Sequence, residues 1–368
     1  MKKQYLITLL AALLITVIPS CKKGTIYKTL IISDQSDNDR TTSAAIVRQI
    51  LDETGMFNCT VMTTPAKAED MSAFSPNFSR YKLVVLDYAG EVWPEKTTAA
   101  FTDYLNNGGG VVVCNPKSDP ISGPSDTVTV SKRKDFEIRT VVFDHPVTKG
   151  LPVRWLHASD ELVHGVNVGG ENVQILATAS SGAAFSGTGR REPVLFSRNY
   201  GKGRIFTTLI GTPDGGENTA LHCTGFIVTL QRGAEWAASG SVTREVPFDF
   251  PTAAGVVLRP DFREIDLEDA FANIGNYDIP KSTRYFIWLQ SQIRKAAGNE
   301  ETLLMLEKKM DGVLTNKEAT VEAKKLILRE LSWMGTDYSV PVIKSLESVP
   351  ELRDDMEYAL ARLQITDN

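Results

Sequence analysis

The chain has 368 residues, of which 42% are hydrophobic, 23% charged and 8% aromatic, close to the average for folded domains and unlike a disordered or fibrous chain. At about 100–200 residues per domain it holds two or three folded units. Forty Lys and Arg against 45 Asp and Glu give a formal net charge of −5. With no long basic block, the attraction that nucleic-acid binding needs is missing.

Lys2 and Lys3 precede an apolar run from Leu6 to Ile18, shorter than the roughly 20 residues of a membrane-spanning helix and shaped like an export signal. The run closes on Ile18-Pro19-Ser20-Cys21. An aliphatic residue and then a small one before Cys resembles a bacterial lipoprotein cleavage box, with an ordinary cleaved signal as the plainer alternative. On this reading residues 1–21 are the signal, Cys21 carries the lipid and residues 22–27 are a tether. The protein is then held in the cell envelope, facing the periplasm, by a lipid anchor alone. Cys59, Cys114 and Cys223 show no CxxC spacing, so neither a disulfide framework nor a zinc knuckle is expected.

From Lys28 onward, short apolar runs alternate with helix-length amphipathic stretches. Thr29 to Ser33, Lys82 to Asp87 and Val111 to Val113 read as strands, and Thr42 to Glu53 and Pro94 to Leu105 as helices. Fully apolar strands are buried on both faces, which predicts a mostly parallel sheet covered by helices. Further strands are expected at Val173 to Ala177, Pro193 to Phe196 and Arg204 to Leu209, then a helix from Thr219 to Ala238. Gly201-Lys202-Gly203 between two strands reads as a hairpin turn rather than a phosphate loop. The α/β domain spans 28–245. Residues 246–280, with Pro247, Pro251, Pro260 and Pro280, read as a surface connector. Apolar residues at three- and four-residue steps over 281–368 predict an all-α helical array.

The block Asp144-His145-Pro146-Val147-Thr148-Lys149-Gly150-Leu151-Pro152, then Asp160-Glu161-Leu162, resembles the ThuA-like (trehalose-utilisation) family. Three later blocks agree: Pro193 to Phe196, Tyr200 to Phe206, and Arg232-Gly233-Ala234-Glu235-Trp236-Ala237-Ala238. The resemblance covers roughly Lys28 to Pro251. It implies a flavodoxin-like sheet of the class I glutamine amidotransferase type and a role in sugar metabolism. The tail, with Leu331 to Gly335 and Ser339 to Ile343, resembles HEAT-like repeats. Where relatives commonly place histidines, this chain has Asp37-Asn38-Asp39, Cys114-Asn115 and Gly211-Thr212.

Open parallel sheets bind ligands beyond the carboxyl ends of their strands, which points to Asp34, Asp39, Asp87, Asn115, His145 and Asp214 as substrate contacts. The polar loop after the first strand could equally be ordinary helix capping by Thr41 or Thr42. Cys114 ends the central strand, but Val113, Asn115 and Pro116 do not build a nucleophile elbow, so glutamine hydrolysis is not expected. His157, Asp160, Glu161 and His164 would fall within one or two turns if helical. That makes Asp160, Glu161 and His164 candidate acid and base groups for proton transfer at a sugar or keto-sugar carbon. Capping of backbone amides is the plainer role. No cofactor is required, and the spacing is not a recognised metal site, although a divalent cation could be held there. Trp93, Trp155 and Tyr88 could stack on a sugar face, but aromatic side chains are more often core. The expected ligand is a small carbohydrate. The alternative is a non-catalytic scaffold that docks a protein partner through the helical array.

Overall fold

The computed structural model describes residues 25–34, 38–66, 69–88, 92–114, 128–166, 168, 172–263, 265–279 and 283–365. The expected signal, Cys21, the first half of the expected tether and Asn115 lie outside the described residues. Nothing is described of the Asp39 side chain.

In chain order the α/β part comprises β1 (Tyr27–Ser33), α1 (Asn38–Asp52), β2 (Phe57–Thr63), β3 (Leu83–Asp87), α2 (Glu95–Asn106) and β4 (Gly110–Val113). It continues with β5 (Thr129–Val130), β6 (Lys134–Thr140), β7 (Arg154–Asp160), β8 (Val163–His164), β9 (Val173–Ser180), β10 (Arg191–Tyr200) and β11 (Gly203–Thr208). The last helices of this part are α3 (Thr219–His222) and α4 (Thr224–Ser239). A nine-stranded sheet runs β2-β1-β3-β4-β11-β10-β9-β6-β7. Its first five strands are parallel, in the 2-1-3-4-5 order of flavodoxin-like sheets. From β11 to β7 every pairing is antiparallel. The sheet is therefore mixed, and the expected parallel arrangement describes one half of it.

The parallel half forms because Leu30, Ile31, Ile32 and Leu83 to Leu86 have no exposed surface, each contributing about 1.5–3 kcal/mol by leaving water. One face packs on Ala44, Val47, Ile50 and Leu51 of α1 and on α4. The opposite face packs on Phe101, Tyr104 and Leu105 of α2. The helices that follow β1 and β3 thus leave the sheet on opposite faces, the reversal at which open α/β sheets bind ligands beyond the strand ends. β10 and β11 close in a hairpin with Tyr200 opposite Gly203, as the two flanking glycines predict.

Several expectations need correction. Residues 154–164 form β7 and β8, not a helix, so His157, Asp160, Glu161 and His164 are not brought together by helical spacing. α1 starts at Asn38, which puts Thr41 and Thr42 inside the helix rather than at its cap. The predicted helix from Thr219 is broken at Cys223, whose φ of −66° and ψ of 124° are extended. There the chain bridges to Leu258, and the Thr224 amide donates to the Val257 carbonyl at 2.9 Å.

The segment 246–280 is more ordered than a surface connector. Phe250 and Phe262 join the core of the sheet, and Arg259, fully buried, pairs with Asp249 at 2.6 Å. Its end forms α5 (Leu267–Ile274). Beyond it lie α6 (Arg284–Lys295), α7 (Glu300–Thr315), α8 (Val321–Met334), α9 (Val340–Lys344) and α10 (Arg353–Ile365). Ile265, Ala270 and Ile274 belong to the apolar core of these helices, so the helical unit begins earlier than residue 281. Among the described residues no helix is long and apolar enough to cross a membrane.

Candidate functional site

The carboxyl ends of β1, β3 and β4 carry a polar row. Ser33 pairs in register with Asp87, and the Cys114 amide donates to the Leu86 carbonyl at 2.9 Å, which places Cys114 beside Asp87. Laterally paired residues of parallel strands point to one face, so Ser33, Asp87 and Cys114 share the α1 side of the sheet. Asp34, one residue on, takes the alternate direction. Asp34 is 2% exposed and Asp87 1%. Two acidic side chains are thus withdrawn from bulk water where the strand order reverses.

A second polar knot sits beyond the end of β11. Asp160 and His157 are both 0% exposed, with Asp160 Oδ2 2.8 Å from His157 Nε2. The same carboxylate accepts the Gly211 amide at 2.7 Å, the Thr212 amide at 3.2 Å and the Glu161 amide at 2.8 Å. Arg133 closes the knot, donating to the carbonyls of Ser159, Thr212 and Pro213 and lying 3.6 Å from Asp160. A carboxylate with this many donors is committed to holding the end of β7 against the loop after β11. Glu161 is freer, a third exposed and 3.9 Å from Arg133.

Burial disfavours the His157 imidazolium, but the neighbouring Cys223 and Asp160 outweigh it and push the ring up to about 10. Burial raises the Cys223 thiol, yet His157 and the amides of Ala158 and Gly225 hold it below its ordinary value of 9.0. Spacing in the sequence gave no signal for Cys223, which lies on a different element from its partners.

The remaining expected residues are dispersed. His145 lies toward the opposite end of the strands, packed on Trp236 at 4.8 Å, with Nδ1 accepting the Val147 amide and Nε2 3.3 Å from Ser197 Oγ. Burial holds its ring below the usual histidine range despite Asp144. Asp214 is exposed and caps its own loop through the amides of Gly216 and Asn218. Desolvation raises its carboxyl, but those amides and Arg133 bring it below the usual range. His164 is 2% exposed, and its Nε2 has no hydrogen-bond partner among the described residues. Trp155, Trp93 and Tyr88 are buried, Trp155 against Phe250 and the other two in one aromatic cluster. None of the three offers a face to a sugar. Among the described residues no group of three or more His, Cys, Asp or Glu side chains has metal-holding geometry.

The motif blocks are tied together physically. Arg232 donates to the carbonyls of Val147, Pro146 and Lys149, each at 2.8 Å, and to that of Arg244. Glu235 accepts the Thr243 amide at 2.7 Å. The family model for ThuA, trehalose utilisation, matches residues 28–237. The chain belongs to the ThuA family. A ThuA-like protein of known structure from Parabacteroides merdae is 35% identical, with a TM-score of 0.60 over 66% of this chain and 100% of that one. Another, from Bacteroides uniformis, is 15% identical, with a TM-score of 0.43 over 60% of this chain and 94% of that one. No curated protein matches the chain. The ThuA match ends within α4, so the helices from α5 onward lie outside it.

Proposed function

We propose that this ThuA family member binds a small carbohydrate, of the trehalose or keto-sugar kind, in the crevice at the ends of β1, β3 and β4. The observation that carries the reading is the placement of Asp34 and Asp87, both almost fully buried, where the strand order reverses. A carboxylate accepts hydrogen bonds from two sugar hydroxyls at once, and exclusion of water strengthens each of them. The family's link to trehalose utilisation supplies the substrate class. Binding is favoured over proton-transfer catalysis because the Asp160 oxygens are already taken by three amides and His157. With residues 1–21 read as an export signal that ends in a lipidated Cys21, this activity is carried on a lipid tether in the cell envelope.

Calorimetric titration of the purified protein with disaccharides and their keto derivatives tests the reading. Saturable binding that Asp87→Asn weakens at least about tenfold, with unchanged thermal unfolding, is the expected result. No heat across the panel sinks it. The scaffold alternative then gains weight, because Trp333 is 68% exposed beneath the Arg362 guanidinium, and exposed Trp with Arg is a common anchor for protein partners. Recovery of the Cys21→Ala variant in the membrane fraction would refute the tether.

A further inference from the structure

The described residues begin at Thr25, just before β1, so the expected tether joins the fold at the amino-terminal ends of the parallel strands. Asp34 and Asp87 mark the opposite ends. Cys21 is four peptide steps from Thr25, and an extended chain advances at most about 3.6 Å per residue. A lipid on Cys21 therefore holds Thr25 within about 14 Å of the bilayer surface.

The tethered end of the sheet carries a row of lysines. Thr29 pairs with Leu83, Leu83 with Gly110 and Gly110 with Arg204, so the residues just before these lie side by side along the rim. Two of them are Lys28 and Lys82, and the Lys82 amide donates to the Lys28 carbonyl at 2.8 Å. Past Gly109 the row reaches Lys202, in the turn between β10 and β11. Strands lie about 4.8 Å apart, so the three lysines span about 15 Å. All three are exposed, and none is in an ion pair among the described residues. Arg80 adds another exposed cation before β3, against the exposed carboxylates Glu53 and Asp103 near the ends of α1 and α2. Ile26, 63% exposed, stands between the tether and Lys28, and the tether itself carries Lys22 and Lys23. The whole chain is acidic, at −5, so this excess of cations is local to the anchored rim.

We propose that the amino-terminal rim of the parallel strands is a membrane-facing surface, with Lys28, Lys82 and Lys202 against the phosphates of anionic lipids. The inference rests on reading Cys21 as the lipidated residue and is independent of sugar binding. Attraction to an anionic surface falls off within a Debye length, about 8 Å at physiological salt, so the lysines gain from it because the tether is short. The strand-end acids then face away from the bilayer, since Asp87 lies five residues, about 16 Å, beyond Lys82 on the same strand.

The test isolates the protein from membranes, inserts it into vesicles of phosphatidylglycerol and phosphatidylcholine, and labels it with an amine-acetylating reagent. Peptide mass spectrometry reads both the acyl chains on Cys21 and the labelling rate of each lysine. Lys28, Lys82 and Lys202 are expected to label at least about fivefold more slowly in these vesicles than in detergent, and to lose most of that protection in phosphatidylcholine alone. Lys96 and Lys132, exposed at the opposite end of the strands, should label equally in all three. With Cys21 acylated, equal labelling of the three rim lysines in vesicles and detergent, or protection unchanged in phosphatidylcholine alone, overturns the proposal and leaves the anchor standing. Cys21 without acyl chains overturns the anchor and the proposal together.

Discussion

The Asp160 carboxylate accepts the Gly211 amide at 2.7 Å, joining the end of β7 to a loop that follows β11. Removing its charge leaves His157 buried beside a neutral amide. Asp160→Asn is expected to cost about 3–5 kcal/mol, whereas Glu161→Gln, a third exposed, changes stability by less than about 0.5 kcal/mol. Urea unfolding of the two variants checks the contrast, and equal losses would remove Asp160 from its anchoring role.

From the middle of α4, Arg232 donates to three carbonyls of the Pro146–Lys149 turn. A lysine has no planar fork with which to reach several carbonyls at once. Arg232→Lys should therefore destabilise by roughly 2–4 kcal/mol. Thermal unfolding within about 0.5 kcal/mol of the wild type would contradict this account of the motif.

In the helical part, burial raises the Asp311 carboxyl from 3.8 to about 6, with the Glu307 charge adding to it and the Ser339 hydroxyl only partly offsetting it. An acid with a raised folded value binds more protons folded than unfolded between about 3.8 and about 6, so stability falls as pH rises through that window. Asp311→Asn should then stabilise the protein near neutral pH, by about 1 kcal/mol once solvent screening is allowed for. The gain should vanish below about pH 4. Denaturation of both proteins across this range measures it, and a loss near neutrality would refute it.

Gly225 faces the Trp155 ring so closely that a methyl group must displace one of them. Gly225→Ala is expected to destabilise by about 1–3 kcal/mol. Urea unfolding of the variant measures the loss, and a stability within about 0.5 kcal/mol of the wild type would contradict so close a contact.

The apolar runs of β1, β3 and β4 made the parallel half of the sheet legible, because a strand covered on both faces has no polar position to hide its pattern. The antiparallel half was not legible to the same degree. In β6 only Phe136, Ile138 and Thr140 alternate inward, and in β7 the positive φ of Ser159 breaks the alternation before Asp160. The segment before α5 was read as a connector because its prolines disrupt periodicity. Its burial arises from contacts with distant residues, which local periodicity does not report.

By itself the sequence determined the ThuA motif blocks, the hairpin at Gly201 and Gly203, and Asp34 and Asp87 as strand-end acids, since each rests on residues adjacent in the chain. The tertiary structure alone decided that His145 belongs to a turn toward the far end of the strands. It also decided that Asp160 is spent on amides from another loop, and that Cys223 meets His157. Those outcomes depend on which strands pair and where α3 gives way to α4, and long-range pairing leaves no periodic trace in the segments it joins.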